Sequence, residues 1–426
     1  MQETKLLRER IAGGGFDPEF SALYGGTSAA SCRERWLSVL AGYEKAFGPA
    51  DRTALFSAPG RSELGGNHTD HQRGKVLAAS IHLDVIAAAV PNESGMIRIL
   101  SEGFPADVVD LSETAPRPEE VGKSSALIRG IAAKFLSLGY PVTGFDAYTT
   151  SNVLKGSGLS SSAAFEVLVG TILNGLFAGN AVSPVEIAQI GQYAENVYFG
   201  KPCGLEDQMA SSVGGIIAID FEREGAPRIE QISFDLASCG YVLCIIDSGA
   251  DHADLTDEYA AITRELAQVC GCFGRRVLRE IPEEEFFAAL PSVRAAAGDR
   301  AVLRAIHVYE DNRRVEEMTA ALRAGDLPRY LRLVGESGIS SWTQLQNVSP
   351  TGSTVHQEVA LALSLARRLL GGQGACRVHG GGFAGTLQAY VPAKQLDAFV
   401  SGIEAVFGPG SCHIMSIRPR GGIQLA

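Results

Sequence analysis

No apolar stretch of this 426-residue sequence is long enough to cross a membrane. The segment Gly240–Ile246 is mostly apolar, but it is far shorter than the ~20 residues that a spanning helix needs, and Asp247 ends it. Residues 1–5 carry mixed charge and lack the apolar core of a signal peptide. We therefore expect a cytoplasmic protein that does not contact a membrane.

The sequence also lacks an excess of positive charge. Lys and Arg number 37 against 48 Asp and Glu, so the formal net charge is −11. Proteins whose main partner is nucleic acid or an anionic membrane normally carry the opposite balance, so we expect neither partner. Apolar residues make up 46% of the chain, which excludes a disordered protein because there is ample apolar surface to bury.

Cysteine pairs at metal-binding or redox spacing are missing as well. The eight cysteines are scattered along the chain. In the closest pair, Cys270 and Cys272, one residue separates the two, whereas zinc knuckles and redox motifs usually have two between them. We expect reduced thiols, as is usual in cytosolic proteins.

The apolar pattern changes near the middle of the chain. Short or alternating apolar segments predict strands among helices in the first half, whereas the second half is mostly amphipathic helix. We predict an α+β fold with a mixed N-terminal domain at residues 1–247 and a mostly helical C-terminal domain at residues 248–426. The predicted elements whose bounds matter below are helices at Val185–Phe199, Thr256–Leu278 and Ser353–Leu370 and strands at Val76–Ile81, Asp84–Val90, Gly240–Asp247 and His413–Arg418.

Glycine is abundant, at 49 residues, and two glycine-rich loops stand out. In the first, glycines that allow close approach of the backbone precede three serines at the start of an apolar helix. Backbone N–H groups at the positive end of a helix favour an anion, so this segment predicts a phosphate site; the alternative is an ordinary serine N-cap. The predicted phosphate-binding residues are Gly156, Ser157, Gly158, Leu159, Ser160, Ser161 and Ser162. The second loop, His379–Gly385, is predicted to lie against a ligand or another backbone.

Two other nucleotide-binding motifs are incomplete. Gly122–Ser124 resembles the end of a Walker A motif, but Arg117 occupies the position of its first glycine. A dinucleotide-type pattern beginning at Gly156 lacks the acidic residue that should close the next strand. We therefore expect neither a P-loop nor a Rossmann site.

Polar residues are dense between Gly60 and His71. Arg61 can clamp an anion through two N–H groups, while Asn67, His68 and Asp70 can hydrogen-bond a polyol. An alternative is a metal site of a hydrolase, although the spacing fits no zinc template. The candidate ligands for that alternative are His68, Asp70, His71 and His82.

Two carboxylates flank a short loop farther along the chain. Glu195 and Asp207 lie on either side of Gly200–Gly204. Near a phosphate site, such a pair suggests one magnesium ligand and one base.

Taken together, these segments resemble the galactokinases, within the kinase superfamily named for galactokinase, homoserine kinase, mevalonate kinase and phosphomevalonate kinase. The resemblance covers nearly the whole chain, and its motifs occur in the same order. The segments that carry it are Ala58–Leu77, Gly156–Ala164, Ala194–Gln208, Arg304–Val315 and Arg377–Val391.

The resemblance implies a role for individual residues. Asp207 matches the catalytic aspartate, and Arg61 matches the arginine that pairs with it and steadies the phosphoryl oxygens. Glu195 and a serine of residues 160–162, which we assign as Ser162, match the magnesium ligands. The implied sugar-binding residues are Asn67, His68, Asp70, Gly204 and Tyr259.

The sequence departs from the family pattern at five positions. Asn67 replaces a usual glutamate at the sugar's hydroxyl rim, and His71 replaces a usual tyrosine. Ser124 falls roughly where a tryptophan packs the adenine, and Asn196 and Gly338 replace usual histidines. These departures leave open the identity of the sugar and the details of nucleotide binding.

The resemblance implies an ATP-dependent sugar 1-kinase of two domains, with ATP, Mg²⁺ and the sugar in the cleft between them. Galactose is the expected substrate, small molecules are the expected partners, and a monomer is favoured. Two alternatives remain beside this one: a kinase for a related sugar such as N-acetylgalactosamine, and a non-catalytic sensor of sugar and ATP.

Overall fold

The computed structural model describes residues 1–154, 158–250, 255–383 and 385–426, and it has the predicted α+β composition. The helices are α1 Thr4–Ala12, α2 Asp17–Tyr24, α3 Ala29–Phe47, α4 Ser124–Ser137, α5 Ser161–Phe177, α6 Pro184–Ala194, α7 Glu206–Val213, α8 Thr256–Gly271, α9 Glu283–Ala288, α10 Leu290–Ala297, α11 Asp299–Arg323, α12 Leu327–Ser340, α13 Glu358–Leu370 and α14 Leu396–Phe407. The strands are β1 Gln2–Glu3, β2 Arg52–Gly65, β3 Lys75–Pro91, β4 Met96–Ser101, β5 Asp107–Asp110, β6 Phe145–Ser151, β7 Ile216–Asp220, β8 Arg228–Ile232, β9 Tyr241–Asp247, β10 Ala375–Val378, β11 Thr386–Pro392, β12 Cys412–Met415 and β13 Ile423–Gln424.

The larger sheet is built around the antiparallel pair β2 and β3. Strands run in the order β1-β2-β3-β6-β4-β5, with β7 and β8 continuing from β3 and β13 pairing with β2. β3 is one continuous strand across the two that the sequence predicts at 76–81 and 84–90. The strand continues through Asp84 because this buried carboxylate is paired with Arg35 and Arg418.

The smaller sheet has the order β10-β11-β9-β12. β9 pairs with β11 and β12, both from the C-terminal part of the chain. The predicted domain boundary at residue 247 therefore does not follow the division between the sheets, which lies before Tyr241. The sheet to which β9 belongs is decided by its pairing with distant strands, and no local change in composition marks the division. The predicted strand 413–418 is shorter and also joins this sheet, while β13 returns to the larger one.

Three predicted helices have different bounds. α8 ends at Gly271, before Gly274 with its positive φ of 63°, and so is shorter than the predicted 256–278. α13 begins at Glu358 instead of residue 353. The predicted helix 185–199 is α6 followed by a single π-helical turn, Glu195–Phe199, and Glu195 is the first residue of that turn.

Helix α5 forms the centre of the main hydrophobic core, as its nearly continuous apolar sequence predicts. Ala164, Val167, Leu168 and Ile172 are fully buried in the cluster that also contains the inner faces of β2 and β3. This packing fixes the position at which α5 begins, directly after the glycine–serine loop. None of the described helices is long and apolar enough to span a membrane.

Candidate active site

A cavity of about 740 Å³ lies where β2, the start of α5, the loop before α7, α8 and the second glycine loop meet. It brings together nine of the residues predicted from the sequence, although up to 320 positions separate parts of the chain that line it. These nine are Arg61, His68, Asp70, Gly158, Ser162, Glu195, Gly204, Asp207 and Tyr259.

The Arg61–Asp207 ion pair lies in the wall of this cavity. Arg61 Nε donates to Asp207 Oδ1 over 2.7 Å, and the Arg61 side chain is almost fully buried. Asp207 belongs to the first turn of α7, where the partial positive charge of the helix N-terminus stabilises an anion. The Asp207 side chain keeps 36% of its surface exposed, so this carboxylate is both held in place and open to the cavity.

The end of the phosphate loop is bound to the same pair. Arg61 donates a second side-chain hydrogen bond to the Gly158 carbonyl, and its backbone N–H donates to the Leu159 carbonyl over 3.1 Å. Ser160, in a left-handed conformation, donates its hydroxyl to Asp207. A Cβ on Gly60 would lie 2.7 Å from the Leu159 carbonyl oxygen, so only glycine allows strand and loop to approach this closely.

The three predicted serines therefore have different environments. Ser160 contacts Asp207, Ser162 lines the cavity at the start of α5, and Ser161 does not line it. Gly156 and Ser157 lie outside the described residues.

The two predicted magnesium ligands line the same cavity. Glu195 is nearly fully buried, and Gln208 Nε2 donates to its Oε2 over 2.8 Å. The same Gln208 nitrogen donates to Glu166 Oε2 over 2.9 Å. Burial, with a contribution from Glu195, raises the pKa of Glu166 well above its usual range. Gln208 thus holds Glu166 and Glu195 side by side, and Lys201 Nζ lies 3.5 Å from Glu195 Oε1.

Asp70, which also lines the cavity, lies against Gly204. A Cβ on Gly204 would lie 1.7 Å from Asp70 Oδ2, so a larger residue would displace this carboxylate. His68 Nε2 lies 2.9 Å from the Gly381 carbonyl oxygen. Burial lowers the pKa of His68 to about 4, so the neutral ring donates its Nε2–H to that carbonyl.

The second glycine loop forms the adjoining wall. Tyr259 donates its hydroxyl to the Gly382 carbonyl over 2.9 Å. A Cβ on Gly381 would lie 2.5 Å from the Tyr259 ring, so the ring and the loop fit together closely. A Cβ on Gly382 would lie 2.1 Å from the Asn347 carbonyl oxygen, so the loop lies against another stretch of backbone, as predicted.

Asn67 does not line the cavity, in contrast to its predicted contact with the sugar. Its side chain is fully buried. Its amide donates to the Gly380 carbonyl over 2.7 Å and to Glu63 Oε1 over 3.1 Å, and its Oδ1 accepts from Asn347 over 2.7 Å. These bonds place Asn67 behind the wall, where it connects β2 to the second glycine loop.

Helix α11 holds the backbone at the same point. His307 Nε2 lies 3.0 Å from the Asn67 carbonyl oxygen, and Asp311 Oδ2 accepts from the Asn67 backbone N–H over 3.0 Å. Both side chains are fully buried. The segment 304–315 thus supports the wall of the site through Asn67, although none of its residues is among those that line the cavity.

Sequence reasoning did not identify two acidic residues that line the cavity, Glu63 and Glu206. Glu63 forms an ion pair with the fully buried Arg377. Because alternate residues of a strand share a face, the position of Glu63 two residues after Arg61 was a usable signal. The signal for Glu206 was its position immediately before Asp207.

The alternative reading of the histidines as metal ligands is not supported. Within the described ranges, no group of three His, Cys, Asp or Glu side chains is arranged to hold a metal ion. His68 faces Gly381, and His82 Nδ1 accepts the Ser416 backbone N–H over 3.2 Å.

Ser124 is the residue that stands roughly where the family has a tryptophan against the adenine. Its hydroxyl donates to Asp107 over 2.7 Å, and it does not line the cavity.

Two family models match this chain. The galactokinase galactose-binding signature matches residues 41–91, and the GHMP kinases N terminal domain matches residues 126–215. Together they contain the Arg61 strand, the phosphate loop and Asp207.

Whole-chain relatives agree with these matches. The galactokinases of Glaesserella parasuis serovar 5 and of Streptomyces coelicolor are each 31% identical to this chain, over 84% of its length and 89% of theirs. The crystal structure of Lactococcus lactis galactokinase complexed with galactose superimposes with a TM-score of 0.78 at 27% identity, covering 92% of this chain and 100% of that one. A mevalonate kinase of L. major shares the fold, with a TM-score of 0.57 at 17% identity, over 86% of this chain and 96% of that one.

Proposed function

Because this chain belongs to the galactokinase family, we propose that its cleft transfers the γ-phosphoryl group of ATP to the anomeric hydroxyl of galactose. The observation that carries the proposal is the Arg61–Asp207 pair, which is bonded to the end of the phosphate loop and open to the cavity of about 740 Å³. Acceptor hydroxyl and phosphoryl donor thus have adjacent sites.

In this mechanism Asp207 orients the anomeric hydroxyl and accepts its proton. Phosphoryl transfer passes through a loose transition state, so positioning and charge stabilisation provide most of the rate enhancement. Arg61 holds Asp207 in place and offers positive charge to the phosphoryl oxygens. Its two further bonds to the phosphate loop keep donor and acceptor in register.

Galactokinase chemistry implies Mg²⁺, and the residues present fit that ion. Carboxylate and hydroxyl oxygens are the ligands it prefers, and it is usually held by one or two side chains together with the nucleotide phosphates. Glu195 and Ser162 provide such oxygens within one cavity. When bound, Mg²⁺ neutralises part of the triphosphate charge.

The sugar selectivity is assigned to Asp70. Its carboxylate lies in the cavity wall against Gly204 and can accept hydrogen bonds from two neighbouring sugar hydroxyls. A hydroxyl whose orientation differs between galactose and glucose, at carbon 4, is the natural discriminator. We expect galactose to be preferred, with tolerance for changes at the rim because Asn67 is occupied elsewhere.

The test is ATP turnover, measured as ADP release with Mg²⁺, over galactose, glucose, N-acetylgalactosamine and 6-deoxygalactose. The proposal expects turnover with galactose and little with glucose. Glucose turning over faster than galactose would refute the role of Asp70. Binding of sugar and ATP without ADP release would instead identify a sensor.

We also infer a cytoplasmic location and a two-domain organisation with its boundary before Tyr241. All eight cysteines are free thiols, as expected in a reducing compartment. The two sheets are separate, and one face of the smaller sheet, with Cys244, Ile246 and Leu387, packs in a hydrophobic cluster of its own. Fractionation of cells and limited proteolysis between β8 and β9 test these two inferences.

A further inference from the structure

Glu206 is a buried carboxyl group in the cavity wall for which the mechanism above has no use. The residue is only 5% exposed and lines the cavity. Its Oε1, which solvent does not reach, has no hydrogen-bond partner among the described residues. A buried polar atom without a partner is costly, so a ligand that supplies a hydrogen bond there gains more than the bond itself.

The charges around Glu206 leave it without a cation of its own. Arg61 is paired with Asp207, and Arg377 is paired with Glu63. Within the part of the chain that the structure describes, neither Asp70 nor Glu206 has an ion pair with Lys or Arg; His71 Nε2 lies 4.0 Å from Asp70. The sugar side of the cavity therefore has two carboxyl groups available to a ligand.

The surroundings of Glu206 define which part of a sugar it faces. It precedes Asp207 in the first turn of α7, and its electrostatic neighbours include Arg61 at the phosphoryl end and Asp70 at the sugar end. Burial, followed by the proximity of Glu63, raises its pKa well above the usual range. Glu206 therefore adjoins Asp207, the proposed base for the anomeric hydroxyl, and lines the same cavity as Asp70.

We propose that Glu206 is a specificity-determining residue that binds the hydrogen-bond-donating substituent at carbon 2 of the acceptor sugar, a hydroxyl or an amino group. This inference rests on the proposed sugar 1-kinase function. A carboxyl group can accept from either substituent, and as a carboxylate it also pairs with an ammonium group. A sugar with hydrogen alone at carbon 2 would leave Glu206 without its partner.

The experiment compares galactose, 2-deoxygalactose and galactosamine as substrates for the full-length enzyme and for Glu206→Gln and Glu206→Leu. For the unmodified enzyme we expect kcat/KM to be about 10- to 100-fold higher with galactose than with 2-deoxygalactose. Glu206→Leu should remove most of that preference. Glu206→Gln should retain part of it, because the amide oxygen still accepts a hydrogen bond. It should lose about tenfold on galactosamine relative to galactose, because the sugar's ammonium group favours the charged form of Glu206 and an amide cannot supply that charge.

Asp70→Asn is the matched control, since it removes the other available carboxylate. This variant should lower kcat/KM for all three sugars. The ratio of kcat/KM for galactose to that for 2-deoxygalactose should stay close to that of the unmodified enzyme. If Glu206→Leu folds poorly, the test falls to Glu206→Gln, which keeps the side-chain size. Calorimetry without ATP then measures the affinity of this variant for the same three sugars.

The possible results distinguish a failure of the proposed kinase function from a failure of the role assigned to Glu206. An unmodified enzyme that turns over no sugar would refute the proposed function itself. Galactose turnover with equal activity on 2-deoxygalactose, or a preference that survives in both Glu206 variants, would overturn the assignment of Glu206 and leave the kinase function standing.

Discussion

Two aspartate–arginine groups in this protein each take one member from the strand pair β2 and β3, Arg61 from β2 and Asp84 from β3, and they differ in exposure. In the cleft, Asp207 is bound by Arg61 and Ser160 and retains 36% of its side-chain surface. Asp84 in the middle of β3 is bound by Arg35 and Arg418 and retains none.

The hydrogen bonds explain what the exposure means. Asp84 Oδ2 accepts from Arg418 over 2.9 Å, from the Tyr24 hydroxyl over 2.9 Å and from Ser57, while its Oδ1 accepts from Arg35. Such a carboxylate has no capacity left for a ligand. A buried arginine whose partner carboxylate still faces a cavity is therefore a candidate for chemistry. A pair whose carboxylate is fully enclosed contributes to the fold instead.

The largest expected effect is on catalysis. Asp207→Asn keeps the size of the side chain but removes the base and its charge, so we expect turnover to fall by about 10²–10⁴-fold. Sugar binding, measured by calorimetry, should change little, and the loss in the free energy of unfolding should be smaller than for Asp84→Asn because Asp207 is partly exposed to solvent. Near-normal turnover in the variant would rule out Asp207 as the base.

Asp84→Asn should show the converse. Removing one partner of a buried ion group leaves Arg35 and Arg418 without compensation, and we expect a loss of about 3–5 kcal/mol in the free energy of unfolding. Chemical denaturation measures this loss. Specific activity per folded molecule should be retained, and a loss below about 1 kcal/mol would contradict the structural role.

The magnesium ligands give an intermediate effect. Ser162→Ala and Glu195→Gln should each raise the Mg²⁺ concentration needed for half-maximal turnover. Since both groups would hold one ion, their effects should be less than additive, with an interaction energy of about 0.5–3 kcal/mol. Full additivity, together with an unchanged Mg²⁺ dependence, would show that the two residues do not share a site.

The smallest expected effect appears in acid. Burial alone would raise the pKa of Asp84, but Arg35 and Arg418 outweigh it and hold the pKa below its usual value. Its stabilisation is therefore complete above the unfolded-state pKa of about 4 and is lost as the pH falls through the lower folded-state pKa. The difference in unfolding free energy between the unmodified protein and Asp84→Asn should shrink below about pH 4. A difference independent of pH would contradict this.

The sequence predicted the elements that carry local patterns and missed those that depend on distant pairing. The apolar α5 and the loop before it could be predicted because burial on all sides leaves a continuous apolar run. The placement of β9 in the smaller sheet could not be predicted, because its partner strands lie more than a hundred residues away in the sequence. β8 was missed because its residues are mostly polar and largely exposed.

The candidate site shows the same limits. Arg61 and Asp207 were paired through the family resemblance, since 146 positions separate them and no local pattern relates them. Asn67 was assigned to the sugar by its hydrogen-bonding side chain and its position in the motif, whereas its hydrogen bonds to Glu63 and Gly380 hold it behind the wall. A side chain's neighbours across the fold decide whether it faces the ligand.

The central claim is that the cleft phosphorylates the anomeric hydroxyl of galactose with Asp207 as the base. The most direct test is ³¹P–¹H correlation NMR of the product formed from galactose, ATP and Mg²⁺ by the unmodified enzyme and by Asp207→Asn at equal concentration. We expect phosphate on carbon 1 with the unmodified enzyme, formed at least about 100-fold more slowly by the variant. Phosphate on any other carbon, or product formed equally fast by the variant, would contradict it.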